Sequence, residues 1–190
     1  SSPFDESAVD FLEELNVPAY KIASFENNHF PLIKKVAQTG KPVIISTGMA
    51  TMKELAEIID LLKENKCRDF VLLKCTSTYP ASPMNSNILT IPNMINELKC
   101  NVGLSDHTLG IGAALAAISH GACIVEKHFN LDRNDGGIDA EFSMEPSQFK
   151  ILSEEIERAW YSLGKVFYGP TEAEKYAVNK RRSIYLCNDL

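Results

Sequence analysis

Two short polar segments of the chain, residues 103–108 and 126–129, each carry a histidine soon after an apolar run. The histidines are His107 and His128. Imidazoles at the ends of neighbouring strands could share one divalent cation, with positions left open for water and substrate. Imidazole combined with oxygen ligands suits Mn²⁺, Fe²⁺ or Zn²⁺ better than Mg²⁺. Each histidine taken alone could equally be a hydrogen-bonded loop residue.

Two further polar residues share the orientation of these histidines. Ser105 and Glu126 each precede a histidine by two residues, and residues two apart in an extended chain point the same way. One face of the predicted strand ends therefore presents two imidazoles, a hydroxyl and a carboxylate together.

Lysines and hydroxyl groups form a second set of candidate site residues. Lys21 lies within an apolar segment, where a charged side chain is unfavourable without a partner. Lys74 and Lys127 lie near the ends of later apolar runs, and each lysine could form an ion pair, bind an anion or act as a Schiff-base nucleophile. Neutral donors occur at the same predicted strand ends, and with lysine they predict a phosphate or carboxylate site. These donors are Ser24, Ser46, Thr47, Thr76, Ser77 and Ser105.

A polar segment with two glycines follows the last apolar run, at residues 132–139, and leads into residues 142–146. It could cover a substrate, as functional loops often do, or it could be an ordinary surface turn. Tyr79 leaves a similar choice open, because its ring could stack on a sugar or serve packing.

The elements that would position these residues are five short apolar runs alternating with helical patterns. The runs cover residues 19–23, 43–46, 70–75, 102–105 and 123–127, and their polar ends are 22 to 30 residues apart. Repeated strand–helix units predict a parallel sheet, either a barrel or a doubly wound sheet. Polar residues at nearly every strand end favour the TIM (β/α)8 barrel, whose active site gathers the carboxyl ends of its strands.

The length of the chain predicts only part of such a barrel. A complete barrel takes about 250 residues, whereas this chain has 190 and no initiator methionine. We expect five complete units plus the end of a preceding strand at residues 1–2, within a longer polypeptide. Residues 1–170 are predicted to form the later portion of the barrel. Residues 171–190 are predicted to form a helix, over 171–182, and the start of a linker.

Helices are indicated by apolar spacing and by capping residues. Ala8, Phe11, Leu12 and Leu15 follow the i, i+3, i+4, i+7 spacing, as do Leu55, Ile58, Ile59 and Leu62. Thr51 with Glu54 and Thr171 with Glu174 match the capping-box pattern. Five apolar residues predict a long helix after the last strand: Phe149, Leu152, Ile156, Trp160 and Leu163.

Composition excludes some classes of function. The formal net charge is −6, which argues against a general nucleic-acid surface because phosphate binding needs a basic face. No apolar run approaches the roughly 18 residues of a membrane helix. Five cysteines are scattered without a C-x-x-C pair, as expected of reduced thiols in a cytoplasmic protein. The sequence has neither G-x-G-x-x-G nor a Walker loop, so nucleotide binding is not predicted.

Five motifs resemble the sialic acid synthase family: residues 20–26, 46–49, 74–80, 103–108 and 126–129. Residues 136–139 and 142–146 are most similar to the pseudaminic acid synthases within that family. The resemblance implies a TIM barrel followed by a small antifreeze-like domain, which lends an arm to the partner's active site in a swapped homodimer. It implies condensation of phosphoenolpyruvate with an N-acetylated hexose to give a nine-carbon 2-keto acid.

The resemblance also implies roles for particular residues. His107 and His128 would be both catalytic residues and ligands of a divalent metal, expected to be Mn²⁺, with Mg²⁺ or Co²⁺ as alternatives. Glu26 and Asp139 would complete the catalytic set, and Glu26, Tyr79 and Asp139 would meet the sugar. Phosphoenolpyruvate would contact Ser2, Lys21, Ser24, Ser46, Ser105 and Ser77, the last standing where many family members have asparagine.

Alternatives to this hypothesis remain open at the level of sequence. A metal-free aldolase could use Lys21, Lys74 or Lys127 as a Schiff-base nucleophile, although the paired histidines would then have no role. A non-catalytic sugar-binding module belongs to a different class. Within the synthase hypothesis the acceptor could be 2,4-diacetamido-2,4,6-trideoxy-altrose, N-acetylmannosamine or the precursor of legionaminic acid.

Overall fold

The computed structural model describes residues 1–182 and residue 187. Its centre is a five-stranded parallel sheet with strand order β1-β2-β3-β4-β5. The strands are β1 Tyr20–Ile22, β2 Val43–Ser46, β3 Phe70–Cys75, β4 Asn101–Asp106 and β5 Val125–Lys127. Each strand lies beside its neighbour in the chain and the order never reverses, as in a barrel and unlike a doubly wound sheet. The predicted fold class, a partial TIM barrel, is confirmed.

Helices precede, separate and follow these strands. They are α1 Glu6–Glu14, α2 Phe30–Gln38, α3 Met52–Glu64, α4 Thr90–Leu98, α5 Gly112–Ser119 and α6 Pro146–Leu163. None of the helices within the described residues has both the length and the apolar character that crossing a membrane requires.

Some predicted bounds differ from the structure. The segment 19–23 forms a strand only over Tyr20–Ile22, the segment 123–127 only over Val125–Lys127, and the segment 102–105 extends to Asn101–Asp106. The helix predicted over 171–182 is a 3₁₀ helix at Glu172–Lys180. Residues 183–186 and 188–190 of the predicted linker lie outside the described residues, and the division at residue 170 stays a prediction.

The start of the chain lies beside the outer edge of β1. The amino group of Ser1 donates to the carbonyl of Ala19 at 3.1 Å, and the amide of Lys21 donates to the carbonyl of Ser1 at 2.8 Å. The first residue thus makes the contacts that a neighbouring strand would make, as predicted from the strand end at residues 1–2.

Capping and burial explain why α3 forms where the sequence predicted it. The Glu54 amide donates to Thr51 Oγ1 at 3.3 Å, and the Thr51 amide donates to Glu54 Oε2 at 2.7 Å. This reciprocal pair satisfies two amides that a helix start leaves free. The four predicted apolar residues, Leu55, Ile58, Ile59 and Leu62, are buried against the sheet.

The two end helices bury less than their patterns predicted. Phe11 of α1 and Leu15, the residue that caps its C-terminus, are exposed, and Val9 is the buried residue instead. In α6, Leu152 is buried, whereas Phe149 and Trp160 are exposed. Apolar periodicity predicts an apolar stripe on a helix, but burial of that stripe depends on the elements packed beside it. Within the described residues, α1 packs mainly on α2 and α6 mainly on α5.

The strands send alternate side chains to opposite sides of the sheet. Helix-facing strand residues form the main core with the helices: Tyr20, Ile22, Val43, Ile45, Leu72, Val102 and Leu104. The intervening positions face the barrel interior, and toward the carboxyl ends of the strands these are polar, among them Lys21, Ser105 and Glu126. The register places Cys75 beside Ser105 and Ser105 beside Glu126.

A glycine allows the close approach of β4 to β5. A Cβ atom at Gly103 would lie 2.5 Å from the carbonyl oxygen of Ile124 and 2.7 Å from Leu73 Cδ2. Any other residue would push β5 away, and β5 carries His128 at its end. The Gly103 position therefore helps to bring the two histidines together.

Candidate active site

The two histidines lie next to each other at the carboxyl ends of β4 and β5. The ring centroids of His107 and His128 are 5.1 Å apart, with an interplanar angle of 64°. Nδ1 of His107 lies 2.9 Å from the Thr76 carbonyl oxygen, and because a carbonyl only accepts, this nitrogen carries the proton. Nδ1 of His128 lies 3.3 Å from Asp139 Oδ2. Both Nδ1 atoms are thus engaged, which leaves both Nε2 lone pairs for a cation.

This donor set fits an open metal site. Among the described residues, no group of three or more His, Cys, Asp or Glu side chains is arranged to hold a metal ion. The chain would therefore supply two imidazoles, and the remaining positions would fall to substrate and water. Anchoring of an imidazole through Nδ1 by a carbonyl or a carboxylate is the usual arrangement around metal-binding histidines.

The two imidazoles have opposite pKa shifts. Burial lowers the pKa of His107, but its contacts with the Cys75 thiol and the Thr76 carbonyl outweigh burial and leave the pKa above its ordinary value. Burial and the neighbouring His107 hold the pKa of His128 below its ordinary value, against the opposing charge of Asp139. One imidazole can therefore be neutral while the other carries a proton.

Lys21 faces the interior, where it pairs with a carboxylate. Its Nζ lies 3.2 Å from Glu126 Oε2, and the Ser105 hydroxyl donates to Glu126 Oε1 at 3.2 Å. Lys21 is therefore partnered, which explains how a lysine is accommodated in β1. An incoming anion would compete with Glu126 for this ammonium group and for the Ser105 hydroxyl.

Three strand ends bring hydroxyl groups together around Gly48. The Gly48 amide donates to Ser24 Oγ at 3.1 Å. A Cβ atom at Gly48 would lie 2.1 Å from Ser77 Oγ and 2.6 Å from Ser24 Oγ, so only glycine fits. The Asn27 amide group fixes the same loop by donating to the carbonyls of Ser46 and Gly48 at 3.3 and 3.0 Å. Of the predicted hydroxyls, those of Ser24 and Ser77 meet here. Two others bond to backbone carbonyls instead: Thr47 Oγ1 donates to the Leu73 carbonyl at 3.1 Å and Thr76 Oγ1 to the Asn85 carbonyl at 3.0 Å.

Two buried oxygen atoms of the predicted site lack hydrogen-bond partners among the described residues. They are Ser46 Oγ and Glu26 Oε2. Outside the predicted site, the same holds for Oγ1 of Thr108, the residue that follows His107. Buried polar atoms are almost always satisfied. Ser46 and Glu26 thus have hydrogen-bonding capacity left for a ligand.

An aromatic side chain borders the histidines. The Tyr79 ring lies 4.3 Å from the His107 ring, 5.7 Å from the His128 ring and 5.5 Å from the Phe142 ring, between centroids. Burial raises the pKa of Tyr79, and the charges of Cys75, Asp139, Glu126 and Glu26 raise it further. The phenol thus stays neutral beside the acidic side chains.

Two of the three candidate lysines do not reach the interior. Lys74 Nζ donates to Thr76 Oγ1 at 2.8 Å and to the Cys75 carbonyl at 3.3 Å, and burial lowers its pKa. Lys127 Nζ pairs with Asp106 Oδ2 at 3.0 Å. Both lie on the helix-facing side of their strands. Of the three candidate lysines, Lys21 alone faces the barrel interior, where it could act as a nucleophile.

Ser2 is exposed, next to the edge of β1, and makes no hydrogen bond to another described residue. Among the described residues, therefore, no hydrogen bond joins Ser2 to the rest of the candidate site. Its predicted role with phosphoenolpyruvate stays a prediction.

Cys75 is a site residue that the sequence interpretation missed. Its Sγ lies 3.9 Å from His107 Nδ1 and 3.8 Å from Ser77 Oγ. Burial raises the pKa of this thiol, but hydrogen bonds from His107, Ser24 and Ser105 lower it to about 7. The sequence feature that could have indicated Cys75 is its position at the end of β3. Strand alternation directs its side chain to the same interior face as Ser105.

The NeuB family model matches residues 1–168 of the chain. The chain belongs to the NeuB family. The predicted resemblance to sialic acid synthases is thereby confirmed.

Relatives with curated names are about two-fifths identical to the chain. N,N'-diacetyllegionaminic acid synthase of Campylobacter jejuni is 38% identical over 193 residues, covering 100% of this chain and 58% of that protein. Pseudaminic acid synthase of the same organism is 38% identical over 193 residues, covering 100% of this chain and 55% of that protein. The chain thus spans about half the length of the curated relatives it matches.

A solved structure shares the fold. It is the N-acetylneuraminic acid synthetase of Leptospira borgpetersenii in complex with citrate, and its TM-score is 0.86 at 34% identity. The match covers 95% of this chain and 63% of that one. The likeness supports the barrel assignment for the strands and helices described above.

Proposed function

We propose that the protein is a phosphoenolpyruvate-dependent synthase of a nine-carbon sugar acid. It would condense phosphoenolpyruvate with an N-acetylated hexose and water, and release phosphate. The observation that carries this proposal is the convergence of His107 and His128 with Lys21 and the hydroxyl cluster at one mouth of the half-barrel. Family membership supports the same reaction class.

A divalent metal is part of this proposal. We expect Mn²⁺, with Mg²⁺ and Co²⁺ as alternatives, held through Nε2 of His107 and His128. The metal would act as a Lewis acid that polarises the aldehyde of the open-chain sugar. The acidic groups Glu126 and Asp139 lie beside these histidines, and they would offset the positive charge brought into the site.

The anion-binding residues would fix phosphoenolpyruvate. Lys21 and the hydroxyls of Ser24, Ser46, Ser77 and Ser105 can donate to its phosphate and carboxylate groups. Phosphoenolpyruvate is a weak carbon nucleophile, so alignment of its C3 with the aldehyde carbon would supply much of the rate acceleration. The hydroxyls that lie around Gly48 are closely packed, and this favours a fixed orientation.

Proton transfer and sugar binding fall to the remaining residues. Glu26 would transfer a proton to or from the aldehyde oxygen when C3 attacks the aldehyde carbon, using the carboxylate oxygen that has no partner. Water then adds at C2, and the tetrahedral intermediate loses phosphate by cleavage of the C–O bond. The water oxygen becomes the C2 carbonyl, and its two protons end on the new sugar hydroxyl and on phosphate. Tyr79 and Asp139 would contact the sugar.

The acceptor we propose is 2,4-diacetamido-2,4,6-trideoxy-altrose, giving pseudaminic acid. This choice rests on the resemblance of residues 136–139 and 142–146. The legionaminic and pseudaminic acid synthases of Campylobacter jejuni are equally identical to the chain, at 38%. Sequence identity therefore does not distinguish between these two candidate acceptors. The swapped homodimer, the antifreeze-like domain and the cytoplasmic location belong to the same proposal.

A substrate panel tests the proposal. The full-length protein is incubated with Mn²⁺, phosphoenolpyruvate and each of the three candidate sugars, and the product mass is read directly. We expect a nine-carbon keto acid from one sugar, and oxygen from labelled water in the keto acid rather than in phosphate. Absence of product with all three sugars would refute the synthase. A borohydride-trapped adduct on Lys21 would instead support a Schiff-base aldolase.

A further inference from the structure

A buried ion pair lies on the outer side of the sheet, directly behind the two histidines. Lys127 Nζ and Asp106 Oδ2 are 3.0 Å apart, and both side chains are 2% exposed. Lys127 Nζ also donates to the carbonyls of Thr108 and Gly110. The second carboxylate oxygen, Asp106 Oδ1, accepts from the Thr108 amide at 2.9 Å. The ammonium group thus has three acceptors, and both carboxylate oxygens are bonded.

The position of this pair in the sheet relates it to the histidines. Asp106 and Lys127 are opposite each other in the register, as the last pair of the β4–β5 ladder. Each directly precedes a histidine, and strand alternation sends the ion pair outward and the imidazoles inward. Two pairs earlier, the outward residues are Leu104 and Val125. The outward pair is therefore charged only at the end of the ladder, directly before the two histidines.

Beyond this pair the backbones that follow β4 and β5 bond to different loops. The carbonyl of His107 accepts from the Ala81 amide at 2.9 Å, and that of His128 accepts from the Met144 amide at 2.8 Å. Each histidine is therefore tied through its backbone to a different loop. The ion pair joins the last two facing residues of the β4–β5 ladder, directly before the imidazoles.

We propose that the Asp106–Lys127 ion pair sets the separation of His107 and His128, and thereby the affinity of this site for a divalent cation. This inference rests on the proposed function, in which both imidazoles bind one cation. Asp106 and Lys127 are positioning residues, since they face the helices and touch neither substrate nor cation. A buried ion pair adds little stability over an apolar pair of the same size, whereas its directional bonds define the spacing of two strands.

The test is made on the full-length protein with a neutral double variant, Asp106→Asn with Lys127→Met. Replacing both partners avoids leaving one buried charge unpaired. We expect Mn²⁺ affinity, measured by isothermal titration calorimetry, to fall roughly 10- to 100-fold, as for other residues that orient metal-binding histidines. A crystal structure of the variant should show ring centroids displaced from 5.1 Å. The milder variant Asp106→Glu keeps both charges but lengthens the acidic side chain by one methylene group. It should give a smaller loss of Mn²⁺ affinity.

The matched control is Leu72→Ala, in the core on the helix-facing side of β3. It should lower the thermal unfolding midpoint and leave Mn²⁺ affinity unchanged. The inference is overturned if the double variant binds Mn²⁺ as the wild type does, or if Leu72→Ala loses as much affinity. If the wild type binds no Mn²⁺, the proposed metal role fails, and the ring separation in the variant decides the inference alone. An unchanged separation would then overturn it, and a changed one would support it.

Discussion

Gly48 offers a sharp test of the hydroxyl cluster. In the variant Gly48→Ala, the new methyl carbon would lie 2.1 Å from Ser77 Oγ, 2.6 Å from Ser24 Oγ and 2.9 Å from Ser24 Cβ. Gly48 does not have a positive φ, so alanine suits its backbone. The change therefore acts through steric contact with the side chains of Ser24 and Ser77, and it should displace their hydroxyls.

The size of the effect follows from these contacts. Overpacking of this kind destabilises a protein by about 1–3 kcal/mol. A hydrogen bond from a hydroxyl to a charged phosphate contributes about 1.5–3 kcal/mol. Loss of one such bond should weaken phosphoenolpyruvate binding roughly 10- to 100-fold, since a factor of ten is about 1.4 kcal/mol. Binding is measured by calorimetry on the full-length protein.

Gly112→Ala provides the matched control. Gly112 lies in α5, and a Cβ atom there would have no neighbour within 4 Å. Alanine in a helix is more stable than glycine by about 0.5–1 kcal/mol, so this variant should bind phosphoenolpyruvate normally. Unchanged affinity in Gly48→Ala would refute the assignment of Ser24 and Ser77 to the anion site.

Three other predictions address the metal, the thiol and the core. Chelation with EDTA should end turnover of the full-length enzyme and Mn²⁺ should restore it, because the aldehyde needs a Lewis acid; full turnover in excess chelator would contradict the metal role. Alkylation of Cys75 by iodoacetamide, followed by peptide mass mapping, should rise through about pH 7, since only the thiolate reacts. Alkylation of Cys100 should require a higher pH, because burial raises the pKa of its thiol. Equal pH profiles of alkylation for Cys75 and Cys100 would argue against the contact between Cys75 and His107. Leu72→Ala should lower the free energy of unfolding in urea by about 2–5 kcal/mol, and a loss near zero would contradict the full burial of Leu72.

Much of the fold was predictable from local patterns. Helix α3 was predictable from the capping box of Thr51 and Glu54 and from the apolar spacing after it, because both features act within one helix. The strand of residues 43–46 was predicted with its observed bounds. The exposure of Phe11 and Trp160 was not predictable, because burial of a helix face depends on which elements lie beside it.

The candidate site was predictable in its members and less so in its contacts. His107 and His128 were placed together by a general rule, that parallel strands end at the same edge of a sheet. Lys74 and Lys127 were equal candidates with Lys21 until the structure showed which side of the sheet each one faces. Cys75 was missed because its neighbours, Ser105 and His107, lie about 30 residues further along the chain.

The sequence by itself determined which residues lie at the strand ends, since apolar runs and the polar residues that follow them are local properties of the chain. Tertiary structure alone decided their partners: Glu126 for Lys21, Asp106 for Lys127 and the Thr76 carbonyl for His107. These partners depend on register and on the close approach of strands. Such contacts join distant parts of the chain, and no local pattern specifies them.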